Sequence, residues 1–169
     1  MEKVVYLLGT AHEYQGGKPQ QNATPPTKEE LDQFKKYVVQ LCGNLSIQAI
    51  GEELRKKNLV NGRLKSTLSE VCNGNNIKHK YCDPDDEWQE KEGIKSFLSQ
   101  KKKESSAEFD SRCFEEFKKR EPYWLLKIQE LNVFPMLFVC GALHIDSFSH
   151  LLEGAGFTPK VINKCWAPV

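Results

Sequence analysis

The sequence predicts a single-domain α/β fold with a mostly parallel central sheet flanked by helices. Three observations lead there. Short apolar runs alternate with segments of helical periodicity along the whole chain, the pattern of a parallel sheet with crossover helices. The runs Val4-Val5-Tyr6-Leu7-Leu8 and Met136-Leu137-Phe138-Val139-Cys140 are continuously apolar, as in strands buried on both faces. Both end in Gly-x-x-His: Gly9-Thr10-Ala11-His12 and Gly141-Ala142-Leu143-His144.

The elements follow in order. Lys3 to Leu8 is the first strand. Glu13 to Pro26, with Gly16-Gly17, Pro19 and Pro25-Pro26, is a long polar loop with the character of a lid. Thr27 and Glu30 form a capping box for a helix carrying Leu31, Phe34, Val38 and Leu41, which Gly43-Asn44 ends. Ile47 to Ile50 is a second strand, Leu64 to Val71 a short helix, and Ile77 to Cys82 a third strand. Asp83-Pro84-Asp85-Asp86-Glu87 opens another helix, with a capping Asp, a first-turn Pro and acids at the positive helix end. Ser105 to Leu131 is one or two helices, interrupted at Pro122. Trp124, Leu125 and Ile128 read as its core face. Pro135 to Cys140 is the fourth strand, Ile145 to Leu152 a helix, and Thr158 to Ile162 the fifth strand.

With 169 residues, 39% hydrophobic and 28% charged, the chain matches one soluble globular domain. A formal net charge of +1 gives no global signal for nucleic acid. Lys101-Lys102-Lys103 is a local basic run of the kind found on solvated surfaces. No apolar stretch approaches the length of a membrane span, and the N-terminus lacks the features of a secretion signal. The expected location is cytoplasmic. The six cysteines contain no Cys-x-x-Cys pair and read as reduced thiols. Cys140 reads as core, and Cys82, beside Asp83, is the one candidate nucleophile.

In a parallel sheet the ligand site lies outside the carboxyl ends of the strands. There the first strand delivers His12 and Glu13, the second Glu52 and Glu53, the third Asp83 and Asp85, and the fourth His144, with Asp146 behind it. Taken singly, each has an ordinary structural role: a surface histidine, a solvated helix start, an N-cap. The repeated Gly-x-x-His with carboxylates between them makes the case for a site. Two histidines and a carboxylate are a ligand set for a divalent metal such as Mn, Co, Fe or Zn. The same set without metal is an acid/base system for activating water. Arg120 and Glu121 sit where Pro122 starts or kinks a helix, with Tyr123 beside them. Arginine there is a clamp for carboxylate or phosphate.

These motifs resemble those of the superfamily that includes Tiki, TraB/PrgY, ChaN-like haem-binding proteins and erythromycin esterases. The resemblance rests on Gly9-Thr10-Ala11-His12, Glu52-Glu53-Leu54, Arg120-Glu121 and Val139-Cys140-Gly141-Ala142-Leu143-His144, in that order. For Tiki-like members it implies metal-dependent peptide hydrolysis carried by His12, His144 and one glutamate, with the Glu-Leu pairing favouring Glu53. For erythromycin esterase-like members it implies water activation by a histidine and glutamates without a required metal, and the family arginine falls on Arg120. ChaN-like members imply haem binding instead of catalysis. The chain is shorter than the larger members and lacks their second helical domain.

Two readings follow. One is a small hydrolase of an ester or peptide bond, using His12, Glu52 or Glu53, Arg120, Glu121 and His144. Its substrate contacts would come from Glu13, Asp83, Asp85 and Tyr123, and its tentative metal ligands are His12, Glu53 and His144. The other is a non-catalytic module that binds or senses a nucleotide, an anion or haem, within an operon-encoded system.

Overall fold

The computed structural model describes residues 2–17, 24–59, 63–95 and 100–168. Five strands form one all-parallel sheet: β1 (Val4–Thr10), β2 (Ala49–Glu52), β3 (Lys78–Tyr81), β4 (Met136–Cys140) and β5 (Thr158–Trp166), in the order β3-β2-β4-β1-β5. Seven α-helices accompany them among the described residues: α1 (His12–Gln15), α2 (Lys28–Asn44), α3 (Thr67–Asn75), α4 (Asp86–Lys91), α5 (Ser106–Lys118), α6 (Glu121–Leu131) and α7 (Ile145–Gly154). None is long and apolar enough to cross a membrane.

Alternation along the strands divides the core in two. Val5, Leu7, Ala49, Met136 and Phe138 face α6 and α7, where Trp124, Ile128, Phe148 and Leu152 complete one wholly buried cluster. Leu8, Ile50, Leu137 and Val139 face α2 and α3, packing on Phe34, Val38, Leu68 and Val71. Helices on both faces explain why β1 and β4 read as unbroken apolar runs.

Local chemistry sets the helix limits. Thr27 and Glu30 close the expected capping box on α2. Ser66, not Leu64, caps α3, which runs to Asn75 and stops where Asn76 turns left-handed. Ser105 and Glu108 form a second capping box on α5. The segment from Ser105 to Leu131 resolves into two helices, because Pro122 fits the first turn of α6 and not the interior of a longer helix. Lys101–Lys103 are exposed beside the turn preceding α5.

Besides α3 and changes of one or two residues at the ends of β1, β3, β4 and α7, three limits differ from the sequence reading. The second strand is shifted to Ala49–Glu52, because the Ile47 amide bonds back to the Cys42 carbonyl at the end of α2. The fifth strand runs on to Trp166, held by pairing with β1 through two register shifts. The expected lid is in part helical: Glu13–Gln15 belong to α1, which Gly16 closes at φ 96°. Residues 18–23 of that lid lie outside the described residues.

The register decides what meets at the strand ends. Gly9 pairs with Cys140 across β1 and β4, and Glu52 with Val139 across β2 and β4. The Glu53 amide donates to the Val139 carbonyl at 2.8 Å. The exits of β1, β2 and β4 are therefore level.

Candidate functional site

The three central strand exits bring His12, Glu53 and His144 to one point. His12 opens α1 directly after β1, Glu53 follows the last residue of β2, and His144 closes the short 3-10 turn Ala142–His144 after β4. His12 Nε2 lies 3.8 Å and His144 Nε2 3.6 Å from the same oxygen, Glu53 Oε1. Arg120 Nη1, from the N-cap of α6, is 3.7 Å from that oxygen. The Gly141 amide donates to Glu53 Oε2 at 2.8 Å. Glu53 is wholly inside, with 3% of its side chain exposed.

Strand alternation explains which glutamate faces the site. Ala49 packs on the α6/α7 side and Ile50 on the α2/α3 side. Glu52 follows Ile50, and Glu53 turns to the other side. Glu52 is thus corrected as a site residue: it accepts from Ser66 Oγ, the cap of α3, and lies 2.6 Å from His79 Nε2. Its Oε2 is buried without a partner, and burial raises its pKa against His79 and Ser66.

The two site histidines differ. His144 is 6% exposed; its Nδ1–H donates to Glu121 Oε1 at 2.9 Å, and its ring meets the Trp124 ring edge-on at 4.6 Å. Ser147 Oγ donates to the same Glu121 oxygen at 2.6 Å. The buried carboxylate fixes the imidazole so that Nε2 faces Glu53. His12 is 32% exposed, and its Nδ1 has no partner.

Charge separates these groups further. Burial works against the charged form of His144, but Glu53 and Glu121 outweigh it and raise its pKa. Burial would raise Glu53, but His12, His144, Arg120 and the Gly141 amide together lower it. Glu53 is consequently favoured as the anion, and it in turn favours the charged form of His144. Asp83 is raised by burial, with Glu53 adding to that and Arg120 and Arg55 opposing.

Two clefts meet at this point. One, of about 420 Å³, is lined by His12, Glu53, Arg120 and His144 together with Ala142, Leu143, Phe117 and Cys165. The other, of about 360 Å³, shares His12, Glu53 and Arg120 and adds Arg55, Asn58 and Asp83. Asp83 Oδ1 accepts from Arg120 Nη1 at 3.2 Å, and Arg55 Nε stands 3.3 Å from Asp83 Oδ2.

Several expected contacts lie elsewhere. Asp85 caps α4 through the Trp88 amide and accepts from Tyr123 Oη at 2.8 Å, so this pair ties α4 to α6 and lines neither cleft. Glu13 sits in α1 outside both clefts. Asp146 pairs with Lys164 at 2.6 Å on the surface. Cys82 is buried in the core, and desolvation pushes its thiol up to about 12, the opposite of a nucleophile's requirement. Arg55, Phe117, Leu143 and the Gly141 amide were not singled out by sequence. Arg55 directly follows Glu52-Glu53-Leu54 and Phe117 stands three residues before Arg120, so proximity to the motifs was the signal available for them, while a backbone donor leaves no compositional trace.

The donor set of His12, Glu53 and His144 is right in type for a divalent metal. The surroundings do not fit one. The Arg120 guanidinium stands beside the shared oxygen, a fixed cation competing for the same carboxylate. Among the described residues no group of three or more His, Cys, Asp or Glu side chains is arranged to hold an ion. Comparison with family models, curated proteins and solved structures yields no match.

Proposed function

We propose that this chain is a small hydrolase of an ester bond, activating water with His12 beside Glu53 and needing no metal. One observation carries the reading: two imidazoles from separate strand exits aim Nε2 at a single carboxylate oxygen, with a guanidinium beside it, where two clefts join. Their environments suit opposite tasks: His12 is open to both clefts, while His144 is buried and held by Glu121.

A water seated in the cleft beside the pair reaches both His12 Nε2 and Glu53 Oε1. Glu53 is held low and is the weaker base, so the proton goes to His12 Nε2 as the water oxygen attacks the acyl carbon. Glu53 then stabilises the His12 imidazolium. Arg120 supplies charge to the developing oxyanion. The acyl carbon–oxygen bond breaks, and the leaving oxygen takes the proton from His144 Nε2. The products are a carboxylic acid and an alcohol, and proton exchange with solvent restores His12 and His144. Glu121 holds His144 in the tautomer this requires, a positioning role. The resemblance to erythromycin esterase-like proteins, in which metal is not required, agrees with this assignment.

The test is hydrolysis of a panel of small aryl and alkyl esters, with His12→Ala and Glu53→Gln as controls, each assayed with and without chelator. Turnover that falls about 100-fold or more in both variants supports the reading. Turnover unchanged in His12→Ala, or none on any ester, sinks it. Activity abolished by chelator and restored by Mn, Co or Zn would favour the metal-dependent form.

A further inference from the structure

We infer that the substrate is bipartite, an ester joining an apolar acyl group to an alcohol that carries a carboxylate. This rests on the hydrolase reading above and gives it a substrate class. The two clefts differ in chemistry and share only the groups assigned to the reaction. On one side the walls are Phe117, Ala142 and Leu143, and Leu143 is 66% exposed at the mouth. A large apolar side chain so exposed beside a polar site suits contact with a hydrocarbon group. On the other side the walls are Arg55, Asn58 and Asp83, with Leu54 and Gly17.

The arginines on that side have donors to spare. Each guanidinium carries five N–H groups. Arg55 donates to Asp86 from Nη1, its Nε is shielded beside Asp83, and no hydrogen bond among the described residues engages its Nη2. Arg120 donates to Asp83 from Nη1, its Nε is likewise shielded, and no hydrogen bond among the described residues engages its Nη2. Both side chains are mostly buried, at 14% and 17% exposure, so neither is a freely solvated surface charge. Asp83 spaces them and is the single buried anion between them. A planar carboxylate is the ligand that a fork of unused guanidinium donors accepts best.

The scissile bond then lies where the clefts join, over His12 and Glu53. Water attacks the acyl carbon and the acyl carbon–oxygen bond breaks at the junction, where His144 Nε2, 3.6 Å from the shared Glu53 oxygen and lining the Leu143 side, gives the leaving oxygen its proton before the alcohol departs on the Arg55 side. The apolar acid departs from the Leu143 side.

The test compares para-carboxyphenyl hexanoate with para-methylphenyl hexanoate and para-carboxyphenyl acetate, each rate divided by its uncatalysed rate. The expected kcat/KM for the carboxylate-bearing hexanoate exceeds that of the neutral one by about tenfold or more. Arg55→Gln brings that ratio toward one, and Arg55→Lys restores part of it. Leu143→Asp, at an exposed position that tolerates change, lowers the hexanoate rate more than the acetate rate. Equal rates on charged and neutral hexanoates overturn the inference and leave the hydrolase standing. If no ester is hydrolysed, calorimetry with two uncleavable ketones decides, para-heptanoylbenzoate and para-heptanoyltoluene. Tenfold tighter binding of the benzoate, lost in Arg55→Gln, keeps the bipartite site and removes the hydrolase. Equal or absent binding of the two overturns the inference.

Discussion

Gly9-Thr10-Ala11-His12 and Gly141-Ala142-Leu143-His144 share a pattern and a place in the fold, and the structure uses their residues differently. At Gly9 a Cβ would stand 1.9 Å from the Lys164 carbonyl oxygen, in the backbone of β5. That glycine is required by strand packing. At Gly141 a Cβ would meet Glu53 Oε2 at 3.4 Å, His12 Nε2 at 3.7 Å and His144 Cδ2 at 3.7 Å, all ordinary contacts. Its missing side chain leaves open the space among the three groups of the site. The histidines divide likewise, His144 fixed on Glu121 and His12 half-open toward both clefts. A repeated motif can therefore be one half scaffold and one half chemistry.

The largest expected effect breaks that symmetry at the glycines. Gly9→Ala forces a backbone clash and costs about 3 kcal/mol or more. In a domain of this size that lowers Tm by about 10 °C. Gly141→Ala keeps Tm within about 2 °C but lowers ester turnover about 100-fold by filling the reaction space. Differential scanning calorimetry beside kinetics separates the two. Equal Tm losses would mean that both glycines serve packing.

The histidines come next. His144→Ala removes the imidazole partner of buried Glu121, leaving it Ser147 Oγ, and costs about 3 kcal/mol as well as activity. His12→Ala costs less than about 1 kcal/mol of stability and about 100-fold or more in rate. Denaturant melts of both variants check the first quantity. A His12→Ala protein as unstable as His144→Ala would place His12 in the scaffold.

The pH dependence sharpens the same contrast. His144 has a folded pKa raised above its unfolded value, near 6.5. Its contribution to stability is present below the unfolded value and is lost as pH rises through the folded one. Glu53 is lowered, so its contribution is present above the ordinary carboxylate value and is lost as pH falls through its folded pKa. Turnover should fall on the alkaline side as His144 loses the proton it donates, and Glu121→Gln should move that limb to lower pH. An unmoved limb would remove Glu121 as the group that holds His144.

The smallest expected effect is that of chelation. Dialysis against chelator should leave Tm within about 2 °C and turnover within about 20%, margins small beside the tenfold step that 1.4 kcal/mol represents.

Much of this was legible in the sequence. The apolar runs identified β1 and β4 because both faces of those strands are covered, and the Gly-x-x-His pairs marked their exits. Capping boxes at Thr27 and Ser105 placed two helix starts. Glu52 and Glu53 could not be told apart, since one residue of strand alternation decides which reaches the cleft. Asp83, Asp85 and Tyr123 were visible as polar residues near strand and helix ends, but only Asp83 reaches a cleft.

By itself the sequence determined the parallel α/β class, the covered central strands and the residue types available at their carboxyl ends, because periodicity, capping and turn chemistry are local properties of the chain. The tertiary structure alone decided that β1 lies beside β4, that Glu53 turns inward while Glu52 is spent on Ser66 and His79, and that Arg55, Phe117 and the Gly141 amide share one site. Those facts depend on strand order and on contacts between residues far apart in sequence, and no local pattern encodes either.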